Sequence, residues 1–183
     1  PLGNRSYHSG KWHVDGARLA GGFDRSYSGE DHDHYFAVKN HFEDDRKLPP
    51  IDPANPQYIT TAIADQGVKC LKDHAEQSAG QPFFSFVAFT SPHFPLQALP
   101  EDIARYSAKY RGGWGAARQA RWERMTAMKL LTCGLSARER EVGPPYHIPD
   151  ALEKLGADEV NRPLPWGELS DPQRDFQAAK MAI

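Results

Sequence analysis

The sequence predicts an α/β fold in which a mostly parallel central sheet is flanked by helices and followed by a long helical and irregular insertion. Three segments predict it. Phe83-Phe84-Ser85-Phe86-Val87-Ala88-Phe89 is apolar nearly throughout, which suits a strand covered on both faces, as in a parallel sheet. Ahead of it, Ile59, Ile63, Gly67, Cys70 and Leu71 fall on one face of a helix. Near the start, Ser6 to Val14 reads as a strand that ends in a turn at Asp15-Gly16. Residues 55–90 are then the helix and second strand of a βαβ unit.

The helix has a start signal at Asn55-Pro56, with Asn as N-cap and Pro at the first helical position. Gly80 is its stop. Residues 15–55 are crowded with charges, histidines, glycines and prolines, and read as a long, mostly irregular excursion of the kind that is often functional. After Pro95 the pattern becomes irregular again. Ile103 to Tyr110 and Trp114 to Leu131 read as helices rich in arginine and tryptophan. Residues 132–168 read as loop, punctuated by Pro144-Pro145, Pro149, Pro163 and Pro165. Ser170-Asp171-Pro172-Gln173 is a capping box that opens a last helix. Phe176, Ala179 and Ile183 form its apolar stripe, and the chain stops inside that pattern. With Pro1 in place of an initiator Met, both ends are expected to be cut, so that residues 1–183 are the central part of one larger domain.

The composition narrows the function. A net charge of −2 offers no field for nucleic acid or an anionic membrane, and no apolar run approaches membrane-spanning length. Two cysteines, Cys70 and Cys133, are too few for a disulfide framework.

Two short segments carry residues suited to chemistry. In Gly10-Lys11-Trp12-His13, an extended backbone would put Lys11 and His13 on one face and Trp12 on the other. A fixed cation beside an imidazole can grip an anion and move a proton. A solvated lysine and a surface histidine fit the same tripeptide, and the residues alone leave both readings open. In Ser91-Pro92-His93-Phe94-Pro95-Leu96, His93 lies just past the C-terminal end of the best strand, the edge at which open α/β sheets bind ligands. Prolines on both sides restrict its backbone, as a positioned catalytic group requires. A loop histidine between turn-forming prolines is the plainer alternative.

Asp31-His32-Asp33-His34 and His41 could suggest a metal site, but no second cluster at ligand spacing accompanies them. They read as a solvated loop near a substrate entrance. Arg118, Arg121, Arg124 and Trp122 read as the charged outer face of a helix rather than as a polyanion site.

Taken together, Gly10-Lys11-Trp12-His13-Val14 with Gly22-Phe23-Asp24-Arg25, and Pro82-Phe83-Phe84 with Ser91-Pro92-His93-Phe94-Pro95-Leu96, resemble two ordered segments of the sulfatases. Tyr106 to Trp122 and Leu164-Pro165-Trp166 resemble the insertion between conserved parts of bacterial arylsulfatase-like proteins. The resemblance implies a partial alkaline-phosphatase-like sandwich. It implies that Lys11 binds the sulfate oxygens, that His13 is the base that breaks down the sulfated intermediate, and that His93 contacts the ester and helps the leaving group depart. It further implies a sulfated small molecule or carbohydrate as substrate, calcium as the cofactor, a formylglycine nucleophile, and a periplasmic or secreted location.

The sequence departs from the family pattern in three respects: the nucleophile segment, the calcium-binding carboxylates and the second, downstream lysine of the family are all missing from it. The C/S-x-P-x-R nucleophile segment belongs upstream of Lys11, where none of the ten residues fits. Cys133-Gly134-Leu135-Ser136-Ala137-Arg138 has Leu and Ala where Pro and Arg belong, on the wrong side of the motif, and Cys133 reads as an ordinary residue at a helix end. The calcium carboxylates are likewise expected in other segments. Two alternatives stand beside the sulfatase reading: a phosphate or phosphonate ester hydrolase of the same superfamily, and a degenerate protein that binds without turnover.

Overall fold

A five-stranded sheet in the order β4-β3-β2-β1-β5 organises the N-terminal part of the computed structural model. The structure describes residues 3–137, 153, 155–160 and 164–183. The strands are β1 (Arg5–Gly10), β2 (Arg25–Gly29), β3 (His41–Glu43), β4 (Arg46–Lys47) and β5 (Phe83–Ala88). β1 runs parallel to both neighbours, with Tyr7 beside Arg25 on one side and beside Ser85 on the other. β3 is antiparallel to β2, and β4 to β3. The turn between β3 and β4 places Asp44 and Asp45 at φ 48° and 64°, the left-handed pair that a two-residue hairpin loop requires. Helix α1 (Ile59–Gln77) packs against β1, β2 and β5.

β1 is buried from Tyr7 to Gly10 although its sequence is polar. Each buried polar group has a partner, as burial demands. On the face covered by α1, the Tyr7 hydroxyl meets His74 Nδ1 at 2.9 Å and the Ser9 hydroxyl donates to the Ile63 carbonyl at 2.7 Å. On the opposite face, His8 Nδ1 meets the Ser26 hydroxyl of β2 at 2.9 Å. Burial holds the His8 imidazole below its ordinary pKa. Around His8 gather the rings of Trp12, Phe23 and Phe86, at centroid distances of 5.4 to 5.8 Å.

The loop from β1 to β2 is fastened at both ends. Asp24 accepts from the Ser6 amide at 2.7 Å, from the Ser6 hydroxyl at 3.2 Å and from Arg5 at 3.0 Å. Burial pushes the Asp24 carboxyl up, but the Ser6 and Arg5 donors outweigh it and hold the carboxyl below its ordinary pKa. In the middle of the loop, Arg18 pairs with Glu30 and lies 4.7 Å from the Phe42 ring centroid. The Asp45 carboxylate accepts from the Arg18 and Leu19 amides at 3.0 Å each.

The chain divides into two compact units, Pro1–Ala98 and Leu99–Ile183. The second contains α2 (Pro100–Tyr110), α3 (Gly113–Ala127) and α4 (Asp171–Ala182). The capping box at Ser170 and Gln173 forms in both directions. Gly113 lies against the Trp166 ring, which a Cβ would meet at 2.4 Å. Buried Glu159 accepts from Gln177 at 2.7 Å and from Lys180 at 2.7 Å, tying the preceding segment to α4. No described helix is long and apolar enough to cross a membrane.

Several sequence expectations need correction. The first strand ends at Gly10, so Lys11 and His13 do not owe their placement to strand alternation. The excursion over residues 15–55 holds three strands, and Tyr27, Tyr35, Val38 and Ile51 from it form much of the core with Ile59 and Ile63. The helix begins at Ile59, with Tyr58 rather than Asn55 at the cap. His74 takes the buried place given to Leu71, which is exposed. In α4 the buried residues are Gln177 and Ala178, not the Phe176 stripe. Arg121 and Arg124 are exposed, as a charged outer face requires. Pro144-Pro145, Pro149, Pro163 and Arg138 lie outside the described residues.

β5 stands at the sheet edge, and Phe83, Phe84, Phe86, Val87 and Phe89 remain between 41% and 57% exposed. An apolar edge strand is a template for self-association, and each half-exposed ring forgoes on the order of 1 kcal/mol of burial. The 183-residue polypeptide alone is therefore expected to bind a hydrophobic dye and to associate as its concentration rises. A soluble monomer with a sharp two-state thermal transition would contradict this.

The Asp24 clamp has a pH signature. Because its folded pKa lies below the unfolded value, its contribution is present above the unfolded pKa and is lost as pH falls through the folded one. Asp24→Asn should cost about 1 kcal/mol at neutral pH and flatten the acid limb of stability against pH. Urea midpoints of both proteins at high dilution, from neutral pH down through the carboxylate range, measure it.

Candidate functional site

Three parallel strands end at one edge of the sheet, and a loop carrying polar residues leaves each of them. The order β2-β1-β5 and the pairing of Gly10 with both Ser28 and Ala88 bring those ends level. After β1 come Lys11, Trp12 and His13. After β2 come Glu30 to His34. After β5 come Thr90 to Pro95. The sequence-predicted site residues Lys11, His13 and His93 thus all follow the C-terminal ends of adjacent strands.

Gly10 sets the approach of the first loop. Its φ is +127°, and a Cβ there would stand 1.9 Å from the Ala88 carbonyl oxygen, so only glycine fits. The Lys11 amide then donates to that same carbonyl at 2.8 Å, and the Lys11 carbonyl lies 3.4 Å from His8 Nε2. Lys11 is held by its backbone, and the residue is half-buried. Trp12 packs on His8 and Phe23, and its indole N–H donates to the Gly16 carbonyl at 3.0 Å. His13 is exposed. Within the motif, Gly10 and Trp12 serve the fold, Lys11 is half-buried and His13 is exposed.

His93 is fixed differently. Its amide donates to the Thr90 carbonyl at 3.0 Å, and its Nδ1 lies 2.6 Å from the Phe94 carbonyl. A carbonyl only accepts, so Nδ1 carries a proton and Nε2 is the nitrogen left to exchange one. The hydroxyl of Tyr35, a fully buried residue, reaches the carbonyls of Thr90 at 3.1 Å and His93 at 2.9 Å.

Sequence reasoning missed two participants. Tyr35 gave no local signal, since its role depends on a loop 55 residues away. His32 was read as part of a solvated loop, yet its ring centroid lies 4.4 Å from that of His93. Asp33 bonds instead to the neighbouring His34, at 2.8 Å. Cys133 is a free, exposed thiol whose carbonyl accepts from Trp122 at 3.1 Å.

A cation needs several converging ligands. Among the described residues, no group of three or more His, Cys, Asp or Glu side chains is placed to hold one. Asp24, Asp44 and Asp45 are committed to backbone amides and arginines. These residues do not make a calcium site by themselves.

The family model described as Sulfatase matches residues 2–145. The chain is 25% identical over 193 aligned positions to an uncharacterized sulfatase of Schizosaccharomyces pombe, covering 96% of this chain and 31% of that protein. It is 27% identical over 147 positions to an arylsulfatase of Klebsiella aerogenes, covering 70% of this chain and 30% of that protein. It therefore spans just under a third of the length of these relatives. Among solved structures, Ps i-CgsB in complex with k-i-k-neocarrahexaose overlaps 56% of this chain and 27% of its own, at 22% identity and a TM-score of 0.46. BT4656 in complex with D-glucosamine-2-N,6-O-disulfate is 19% identical; the overlap covers 58% of this chain and 20% of that one, and the TM-score is 0.44. With the family model matched over most of its length, and with both motif segments ending at one sheet edge, the chain belongs to the sulfatase family.

Proposed function

We propose that this chain is the sulfate-recognition part of a sulfate-ester hydrolase. The observation that supports this most is the gathering of Lys11, His13 and His93 behind adjacent parallel strands, with Lys11 and His13 left over once Gly10 and Trp12 are committed to the fold. A sulfate ester presents charged non-bridging oxygens, and the Lys11 ammonium meets them. Its departing oxygen needs a proton, and His93 delivers one from Nε2, because Nδ1 is engaged by Phe94. His13 is the base for breakdown of the sulfated intermediate. The substrate is a sulfated small molecule or carbohydrate.

In the same proposal, the nucleophile is a formylglycine and the cofactor is calcium, both held by polypeptide other than these 183 residues. The enzyme acts in the periplasm or outside the cell. The chain is one stretch of a single catalytic domain.

Two measurements test this reading. The purified 183-residue polypeptide should not turn over an aryl sulfate, because loss of a nucleophile normally costs several orders of magnitude in rate. Metal-dependent turnover by this material alone would sink the division of labour. In an enzyme that contains the chain together with its nucleophile, Lys11→Ala should lower kcat/KM for an aryl sulfate by about 10²–10³-fold. His93→Ala should slow esters of poor leaving groups far more than those of good ones, since a good leaving group needs no proton. An equal effect on both classes, or a preference for the matching aryl phosphate, would count against the assignment.

A further inference from the structure

The loops that follow β2 and β5 are separated at the sheet by β1, yet they are laced together above it. The Tyr35 hydroxyl reaches the carbonyls of Thr90 and His93. The Tyr35 amide donates to Gln97 Oε1 at 3.2 Å, and Gln97 Nε2 donates to the Asp33 carbonyl at 2.9 Å. The Tyr58 hydroxyl closes the set by donating to the Gln97 carbonyl at 3.2 Å. On the near side of His32, the Asp31 carboxylate accepts from the Asn40 amide at 2.9 Å and from its side chain at 2.8 Å. His32 is thus held on both flanks, and it is held against His93.

The two rings lie with centroids 4.4 Å apart and planes tilted by 56°. Turning the His93 ring over would break its Nδ1 bond to the Phe94 carbonyl. Swinging the whole ring sideways would break the same bond, and on one side it would also meet the His32 ring. The Nδ1 bond and the neighbouring His32 ring together restrict the His93 ring.

We infer that His32 is a positioning residue for His93: its ring is the wall that keeps the His93 imidazole in the orientation in which Nδ1 stays bonded to the Phe94 carbonyl and Nε2, protonated when the ring is an imidazolium, can hand its proton to the leaving oxygen of a sulfate ester and return to the neutral Nδ1–H form. The consequence for turnover rests on the function proposed above; the placement of the ring does not. Nothing in the two motif segments assigns His32, and its role comes from the lacing of one loop to another.

The test uses ¹⁵N-histidine-labelled protein and long-range proton–nitrogen spectra at alkaline pH, where the rings are neutral. In the wild type, His93 should show a single tautomer, with the proton on Nδ1. His32→Phe preserves the wall without its nitrogens and should leave the His93 pattern unchanged. His32→Ala, at an exposed position that the fold tolerates, should pull the two nitrogen shifts of His93 toward their average. In the enzyme with its nucleophile, His32→Ala should lower kcat on the order of tenfold with KM unchanged, and His32→Phe should restore it. An unaltered His93 signal in His32→Ala, or a failure of His32→Phe to restore kcat, overturns the inference. Spectra that behave as stated in a protein with no hydrolysis of any sulfate ester uphold the positioning and refute the proposed function instead.

Discussion

Everything at the working edge of this chain depends on β1 being paired in parallel on both sides. A strand so placed has neighbours at both backbone edges and cover on both faces. Its side chains must therefore either be apolar or find partners inside. Here they are Tyr7, His8 and Ser9, and each is bonded to a neighbouring strand or to α1. The same double pairing aligns the ends of β2, β1 and β5, so three loops leave the sheet at one level. The close approach of Gly10 to Ala88 completes this arrangement, because a Cβ would force β1 and β5 apart where Lys11 begins.

The motif that first attracted notice is mostly architecture. Gly10 is required by backbone proximity, Trp12 and Phe23 by their packing around His8, and Asp24 by the amide of Ser6. His13 is exposed and Lys11 only half-buried, so the fold makes less use of their side chains than of Gly10 and Trp12.

How legible was this in the sequence? The βαβ unit over residues 55–90 was readable because α1 and β5 carry clear apolar patterns, and the Ser170 box was readable because capping is local. β2 was not, since Arg25-Ser26-Tyr27-Ser28-Gly29 lacks the apolar alternation by which strands are found. Its Ser26 and Ser28 are almost wholly buried all the same. The apolar pattern in fact inverts the burial: the strand richest in phenylalanine is largely exposed, and the strands rich in serine are largely buried. Lys11, His13 and His93 were identified by their place after strands and by the family likeness. His32 and Tyr35 were not, because contacts spanning 55 to 61 residues leave no trace in local spacing.

The two kinds of anchoring at the edge suit the two tasks. A lysine that meets a spherical cluster of anionic oxygens needs its charge in the right region, but not a single orientation. For Lys11 the fixed part is the backbone, whose amide donates to the Ala88 carbonyl. A proton donor is more demanding, since transfer requires one nitrogen within hydrogen-bond reach of one oxygen. His93 accordingly has its amide, its carbonyl, its Nδ1 and one ring face all engaged. Among the described residues, contacts are denser around His93 than around the Lys11 side chain, and the long loop between β2 and β3 provides two of them. That loop supplies Tyr35 and His32, and without it the His93 segment would rest on backbone turns alone.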